Sequence, residues 1–317
     1  MSGRLVSRLI IAAAIVVAAV LPIILPSWAT LTTLILAKGI VVLGIIILLQ
    51  AGQVSFGHAM FFGVGAYTIA FWGRYVGPGD LLLFLLLGPL IAMAFGLLIG
   101  LFVVRYREIF FGMLNLAFSM VMWSLLEKLY AFTNGADGIR VARPTLAGIA
   151  FTPEAFQYVL LYLTLGLVLV VSYGVQRYLD SPLGHMLRAI KGNETRLEYL
   201  GVSARKILLI GYVISAFLGG LGGVLVATAQ QIATPEFAYW TKSGEFVFIA
   251  ILGGIANAAG AFAGAAVFET VRFFASAQLA NAWQLILGVV LIVIIMFAPN
   301  GLIGLRNRRK AQAEVRP

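Results

Sequence analysis

The feature that most constrains this chain is a succession of apolar runs, each about as long as a membrane is thick. Such runs lie near 6–26, 31–49, 56–73, 81–104, 109–131, 156–177 and 207–229, separated by short polar or glycine- and proline-containing breaks. A helix crosses the hydrocarbon layer with about 20 mainly apolar residues. A backbone in lipid must also satisfy its own polar groups, which a helix does. The apolar stretch 243–299 is too long for one crossing and divides near 243–257, 259–276 and 283–299. The first of these is short, and Gly253-Gly254 is the expected break. The sequence therefore predicts an all-α, polytopic membrane protein with about ten transmembrane helices. Composition agrees: 62% of residues are apolar and 11% charged, against about 45–50% and about 25% in ordinary soluble domains. Soluble enzymes, nucleic-acid binders and secreted modules are excluded.

Arg4 and Arg8 ahead of an apolar run could open a signal peptide. The run continues from Leu9 to Trp28, long enough to span, and is read as the first transmembrane helix. With that N-terminus inside, the inside loops carry Arg105, Arg107, Arg177, Arg188, Lys191, Arg196, Arg205 and Lys206, and the outside loops only Arg74, Arg140, Arg143 and Lys242. This is the asymmetry of the positive-inside rule. The tail, with Arg306, Arg308, Arg309, Lys310 and Arg316, belongs inside as well, so both termini are expected in the cytoplasm. Residues 1–305 read as one membrane domain containing a cytoplasmic segment at 178–206, and 306–317 as a basic cytoplasmic tail. The net charge of +10 is then topology and a partner surface, with no call for nucleic acid.

Little catalytic chemistry is available. The chain has no Cys and two histidines, His58 and His185, so thiol catalysis and a multi-histidine metal site are excluded. It contains neither Gly-x-x-x-x-Gly-Lys-Ser/Thr nor Gly-x-Gly-x-x-Gly, so any ATP used must be bound by another polypeptide. Asn193-Glu194-Thr195 fits a glycosylation sequon but falls in the inside segment and is read as chance. Glycines at four-residue spacing, Gly96/Gly100, Gly219/Gly223 and Gly260/Gly264, put small residues on one helix face for close packing.

Two stretches carry the functional signal. In the segment from Ser181 to Gly201, Leu183, Leu187, Ile190, Leu197 and Leu200 fall on one helix face, while Arg188, Lys191, Thr195, Arg196 and Glu198 occupy much of the remainder. Ser181-Pro182 starts it, Gly192-Asn193 breaks it into two short helices, and Gly201 can end it. Such a helix either lies in the lipid interface or inserts into a cytoplasmic partner. The second stretch runs from Gly52 to Tyr67, where Gln53, Ser55 and His58 open an otherwise apolar, glycine-rich span. Polar groups there need protein or water partners. Ser55 can serve as an N-cap, or the stretch can line a pathway or gate.

Gly52-Gln53-x-Ser55-x-Gly57-His58-Ala59-x-Phe61-Phe62-Gly63-x-Gly65-Ala66-Tyr67 resembles the early signature of permease subunits of bacterial ABC importers for branched-chain amino acids. Ser181-Pro182-x-Gly184, Leu187-Arg188-Ala189-Ile190 and Leu200-Gly201-Val202 are similar to the cytoplasmic coupling segment of that family. Thr133-x-Gly135 with Gly138-Ile139, Ser215-Ala216-x-x-Gly219-Gly220-x-x-Gly223, Leu252-Gly253-Gly254 and Pro299-x-Gly301-Leu302 fit in order and spacing, so the resemblance covers about 40–305. Three positions depart from it. The apolar run Ile45-Ile46-Ile47 replaces the Asn usual before Gly52, Lys38 is unexpected in the second span, and His185 stands where Arg is commoner.

The resemblance implies a type II-like ABC importer permease in a bacterial inner membrane. It implies pairing with a second, homologous permease, delivery by a periplasmic substrate-binding protein, and two ABC ATPase subunits holding ATP and Mg. No cofactor is then bound by this chain. Gln53, Ser55, His58, Phe61, Phe62 and Tyr67 become substrate-pathway candidates, and Gly184, Arg188, Ala189, Glu194 and Gly201 ATPase-coupling candidates. The family also handles urea, short amides and organic acids. The rivals are a passive channel for a small neutral solute and an ion-coupled secondary transporter. The latter often needs intramembrane carboxylates, whereas Glu127, Glu245 and Glu269 are expected near span ends.

Overall fold

A computed structural model describes residues 16–255, 257–278, 283–297 and Gly301. The basic tail 306–317, Arg4 and Arg8, the first half of the first predicted span, Pro299 and Leu302 lie outside the described residues. The helices are α1 (residues 16–24), α2 (Trp28–Gln50), α3 (His58–Tyr75), α4 (Leu81–Val103), α5 (Glu108–Lys128), α6 (Tyr130–Thr133), α7 (Pro153–Leu179), α8 (Pro182–Tyr199), α9 (Ala204–Gln230), α10 (Trp240–Gly253), α11 (Ala258–Gln278) and α12 (Trp283–Phe297). Among the described residues, six helices, α2, α4, α5, α7, α9 and α11, are long and apolar enough to cross a membrane. The chain is an all-α, multi-pass membrane protein.

α2 and α9 form the centre. α2 is continuously buried from Leu36 to Leu48, with Lys38 the one charge in that stretch, as expected of a helix enclosed by others. α4 shows the opposite design. Gly88, Ala92, Gly96 and Gly100 form a small-residue stripe against α9, while Leu82, Leu86, Leu97, Leu98 and Leu101 face outward. Lipid tails are as apolar as leucine, so such helices associate through close backbone approach. The glycines of α9 serve three neighbours at once. Gly219 and Gly223 face Phe61 and Phe62 on α3, Gly220 faces Ala92 and the Gly88 carbonyl on α4, and Gly222 faces Val41 on α2. A Cβ at Gly223 would fall on the Phe62 carbonyl oxygen, a backbone atom with no room to give.

The bundle has two distinguishable ends. At one, α8 lies between α7 and α9. At the other, β1 (Ile139–Arg140) pairs antiparallel with β2 (Ile232–Ala233), and Thr133 donates from Oγ1 to the carbonyls of Leu126 (2.6 Å) and Leu129 (2.9 Å). Asp80 caps α4 there, accepting from Leu82 N (2.9 Å) and Gly148 N (2.9 Å). The Gly148 amide, first among several donors, holds its carboxyl below the usual Asp range. The Ser181-Pro182 start, the kink at Asn193 and the break at Gly253-Gly254 occur as predicted.

Candidate functional site

α8 begins where Ser181 Oγ accepts the Gly184 amide (3.4 Å) and Pro182 presets the first turn. Asn193 leaves helical geometry (φ −162°, ψ 98°), and its Oδ1 accepts from Arg196 N (2.9 Å), starting the second half. Leu187, Ile190 and Leu197 bury against the bundle, whereas Leu183 and Leu200 of the same predicted stripe are exposed, as is Tyr199. Gly184 is buried with the carbonyls of Tyr178 and Leu179 where a Cβ would stand. Arg188 is anchored within the chain, its guanidinium donating to the Leu179 carbonyl at the end of α7. Glu194 is engaged too: Arg107 binds it bidentately, Nε to Oε2 at 2.7 Å and Nη2 to Oε1 at 2.6 Å. Ala189 is exposed, and Gly201 ends the element in the left-handed region (φ +80°). α8 is thus bolted to the end of α7 and to the α4–α5 loop, with Ala189, Tyr199 and Leu200 turned outward.

The Gly52–Tyr67 stretch enters the bundle from the α8 end. Gly52 packs on Lys191 of α8, and Gly57 lies against the backbone of Asn115, the eighth residue of α5. α3 consequently starts in the interior. Ser55 does not cap this helix by the usual route: the helix begins at His58 after Gly57, and Ser55 Oγ instead accepts the Gly57 amide (3.3 Å). Gln53 Oε1 accepts from Glu108 N (2.8 Å), tying the α2–α3 loop to the start of α5. His58 Nε2 bonds Ser215 Oγ on α9, and the Phe61 ring stands edge-on to both His58 and Tyr212. Phe62 packs on Phe237 and Phe246. Tyr67 packs against Phe71 with the rings tilted by 49°. All six predicted pathway residues are buried. Sequence reading missed their partners. Tyr212 OH donates to Asn115 Oδ1 (2.5 Å), Ser119 Oγ to the Ala238 carbonyl (2.7 Å), and Ala59 N to Ser243 Oγ (2.8 Å).

That last bond joins two helix starts. Beyond β2 the chain descends from the opposite end, so that α10 also begins inside, beside Ala59 and the twelfth residue of α5, Ser119. Gln50 Nε2 donates to the Ile255 carbonyl (2.7 Å), which sets the far end of α10 at the α8 end. Five charges gather at the α10 start. Lys38 pairs with Glu269, and Glu245 receives Lys242 (3.0 Å), Arg272 (3.4 Å) and Lys38 (3.9 Å). Lys38 is the eleventh of 23 residues in α2 and Glu269 the twelfth of 21 in α11. The expectation that Glu245 and Glu269 lie at span ends is therefore corrected: Glu269 is at mid-helix, and Glu245 sits in a helix that starts midway. Run length alone does not say where in the membrane a run begins, so the depth of these acids was not legible. Lys38, singled out as unexpected, was the one visible signal. A charge at the centre of a membrane helix costs about 2.5–3.5 kcal/mol on insertion scales, so such groups demand partners.

A separate cavity of about 140 Å³ lies near the β1–β2 end between α2, α7 and α9, with Thr33, Arg143, Gln157, Thr228 and Gln231 in its wall. None of the six predicted pathway residues lines it.

A family model described as the permease component of the branched-chain amino acid transport system matches residues 27–296. The chain is 28% identical over 303 residues to the high-affinity branched-chain amino acid transport permease LivM of Escherichia coli, covering 87% of this chain and 69% of that protein. It is 28% identical over 278 residues to LivM of Salmonella typhimurium, covering 80% and 64%. A shorter match, 23% over 125 residues, joins it to LivH of Salmonella typhimurium, covering 39% of this chain and 40% of that protein. The chain thus spans about two thirds of the length of its LivM relatives. No solved structure matches it. With a family model matching most of the chain, the protein belongs to the family of branched-chain amino acid transport system permease components.

Proposed function

We propose that this chain is one transmembrane half of an ATP-driven importer for branched-chain amino acids or a related small polar solute (amide, urea or organic acid). It works in a bacterial inner membrane with a second permease, two ABC ATPases carrying ATP and Mg, and a periplasmic binding protein. The α8 end faces the cytoplasm. Counting α1, α3, α12 and the shortened α10 with the six long helices gives ten crossings and returns both termini to that side.

The observation that carries this reading is α8: a kinked, amphipathic element fixed rigidly to the bundle, yet presenting Ala189, Tyr199 and Leu200 to solvent. A surface helix resting in lipid needs no such bolts. A helix that transmits force does, because displacement of its exposed face must move α7 and the α4–α5 loop. On this reading Arg188 and Glu194 act inside the lever, through Leu179 and Arg107. Ala189 meets the ATPase, while Gly184 and Gly201 set how closely the segment fits. Rocking of the helices then switches access between the two sides. Gln53, Ser55, His58, Phe61, Phe62 and Tyr67, sealed in the present conformation, border the path when α3 shifts.

The test is Ala189→Trp in the transporter reconstituted in proteoliposomes with its ATPases and binding protein. The large ring blocks docking while every internal bond of α8 remains. Binding-protein-stimulated ATP hydrolysis should fall at least about tenfold, the consequence of losing about 1.4 kcal/mol or more at the contact, with the permease still folded. Wild-type stimulation would refute the coupling role.

A further inference from the structure

The cavity at the β1–β2 end lies where the beginnings of α2 and α7 meet the last turn of α9. Its volume of about 140 Å³ is close to that of protein cavities, about 150 Å³, that admit benzene. The mouth is polar and its bonding capacity is unspent. Arg143, Gln157 and Gln230 are exposed there, and neither their side chains nor that of Gln231 has a hydrogen bond or ion pair among the described residues. The wall contains one cation, Arg143, and no carboxylate. The buried Thr33 and Thr228 differ from these groups. Each Oγ1 donates its hydrogen to its own helix, to the Ala29 carbonyl (2.9 Å) and the Val224 carbonyl (2.8 Å). A hydroxyl has one hydrogen and two lone pairs, so toward the cavity both can only accept. The last turn of α9, which supplies Thr228, adds negative potential beside them. Phe156 and Leu160 make part of the wall apolar.

We propose that this cavity binds a small aliphatic amino acid as its zwitterion. The carboxylate pairs with Arg143 at the mouth, the ammonium donates to Thr33 and Thr228, and the side chain lies on Phe156 and Leu160. A plain anion would leave the two hydroxyl oxygens without a donor, and a plain amine would leave Arg143 without an acceptor. A phosphoethanolamine headgroup carries both charges but nothing for the apolar wall. None of the six path residues lines the cavity, so the site is separate from the path. The inference goes beyond the importer reading and does not rest on it.

The test is equilibrium binding of labelled leucine to the full chain, purified in detergent with the subunits that accompany it. No ATP and no binding protein are added, so the outcome bears on this site whatever drives transport. Leucine should bind saturably. 4-Methylpentanoate, which lacks the ammonium, and 3-methylbutylamine, which lacks the carboxylate, should each compete at least about tenfold less well, the effect of one lost hydrogen bond to a charged group. Arg143→Gln should weaken leucine by about the same factor, whereas Arg140→Gln, an exposed neighbour outside the cavity wall, should not. Thr33→Val should weaken leucine and leave 4-methylpentanoate unchanged. The chain has no cysteine, so Gln230→Cys introduces a single thiol at the mouth, which leucine should shield from a methanethiosulfonate reagent. Absence of saturable leucine binding, binding indifferent to Arg143→Gln, or full competition by either half-molecule would overturn the proposal. Competition by glycerophosphoethanolamine as strong as that by leucine would also overturn it, in favour of a lipid headgroup.

Discussion

α3 and α10 both begin inside the bundle, joined by the bond from Ala59 N to Ser243 Oγ, yet their starts are built from different chemistry. The α3 start uses neutral groups. His58 meets Ser215, Tyr212 meets Asn115, and each is fully buried. The α10 start uses charges, and three of them remain partly open. Neutral hydrogen-bonding groups can be enclosed at small net cost when paired. Ions resist enclosure, because the desolvation penalty persists even in good geometry. The difference teaches that two neighbouring interruptions can be closed by different chemistry: paired neutral groups seal the α3 start, and an ion network with partly open members closes the α10 start.

The contrast can be broken at its strongest bond first. Glu269→Ala leaves the buried Lys38 with only the more distant Glu245 carboxylate (3.9 Å), and stripping one partner from a buried pair costs up to about 3–5 kcal/mol. We expect a large loss of thermal stability of the purified protein in detergent. The double variant Lys38→Met/Glu269→Leu should recover most of it. A Glu269→Ala protein as stable as wild type would mean that the pair contributes nothing to holding α2 against α11. Next comes Tyr212→Phe, which deprives the buried Asn115 carboxamide oxygen of its donor, a loss of about 1–3 kcal/mol. The melting temperature of the purified protein in detergent should fall accordingly; an unaltered melting temperature would show that the Tyr212–Asn115 bond contributes nothing to holding α9 against α5. The smallest effect is expected at the seam. Ser243→Ala removes one inter-helix hydrogen bond, and such bonds average about 0.6 kcal/mol in membrane proteins. A melting shift as large as that of Tyr212→Phe would show that the two starts are coupled more tightly than one bond allows.

Much of this was readable before any coordinates. Periodic glycines announced close packing, and the structure adds that Gly219, Gly220, Gly222 and Gly223 serve α2, α3 and α4 together. Ser181-Pro182 and Gly192-Asn193 marked the start and kink of α8, since local backbone preferences decide both. Long-range pairing was not legible. Lys38 and Glu269 are 231 residues apart, and nothing local to either names the other. The same limit hid the Arg107–Glu194 clamp, so a residue assigned to a partner's surface proves to be held within the chain. Helix starts in the interior were missed for a different reason: apolar run length reports how much chain is in the membrane and not whether that chain is helical throughout. Residues 51–57 and 231–239 fall largely between the apolar runs, so the sequence marks them as breaks without showing that they enter the bundle.

The most direct test of the account is the energy source. In proteoliposomes containing the two permeases and their ATPases, with binding protein on the opposite side, labelled leucine should accumulate only when ATP is present at the α8 side. That accumulation should persist after ionophores collapse the proton and sodium gradients. Accumulation that follows an ion gradient without ATP, or equilibration with neither, would contradict the assignment of this chain to an ATP-driven importer.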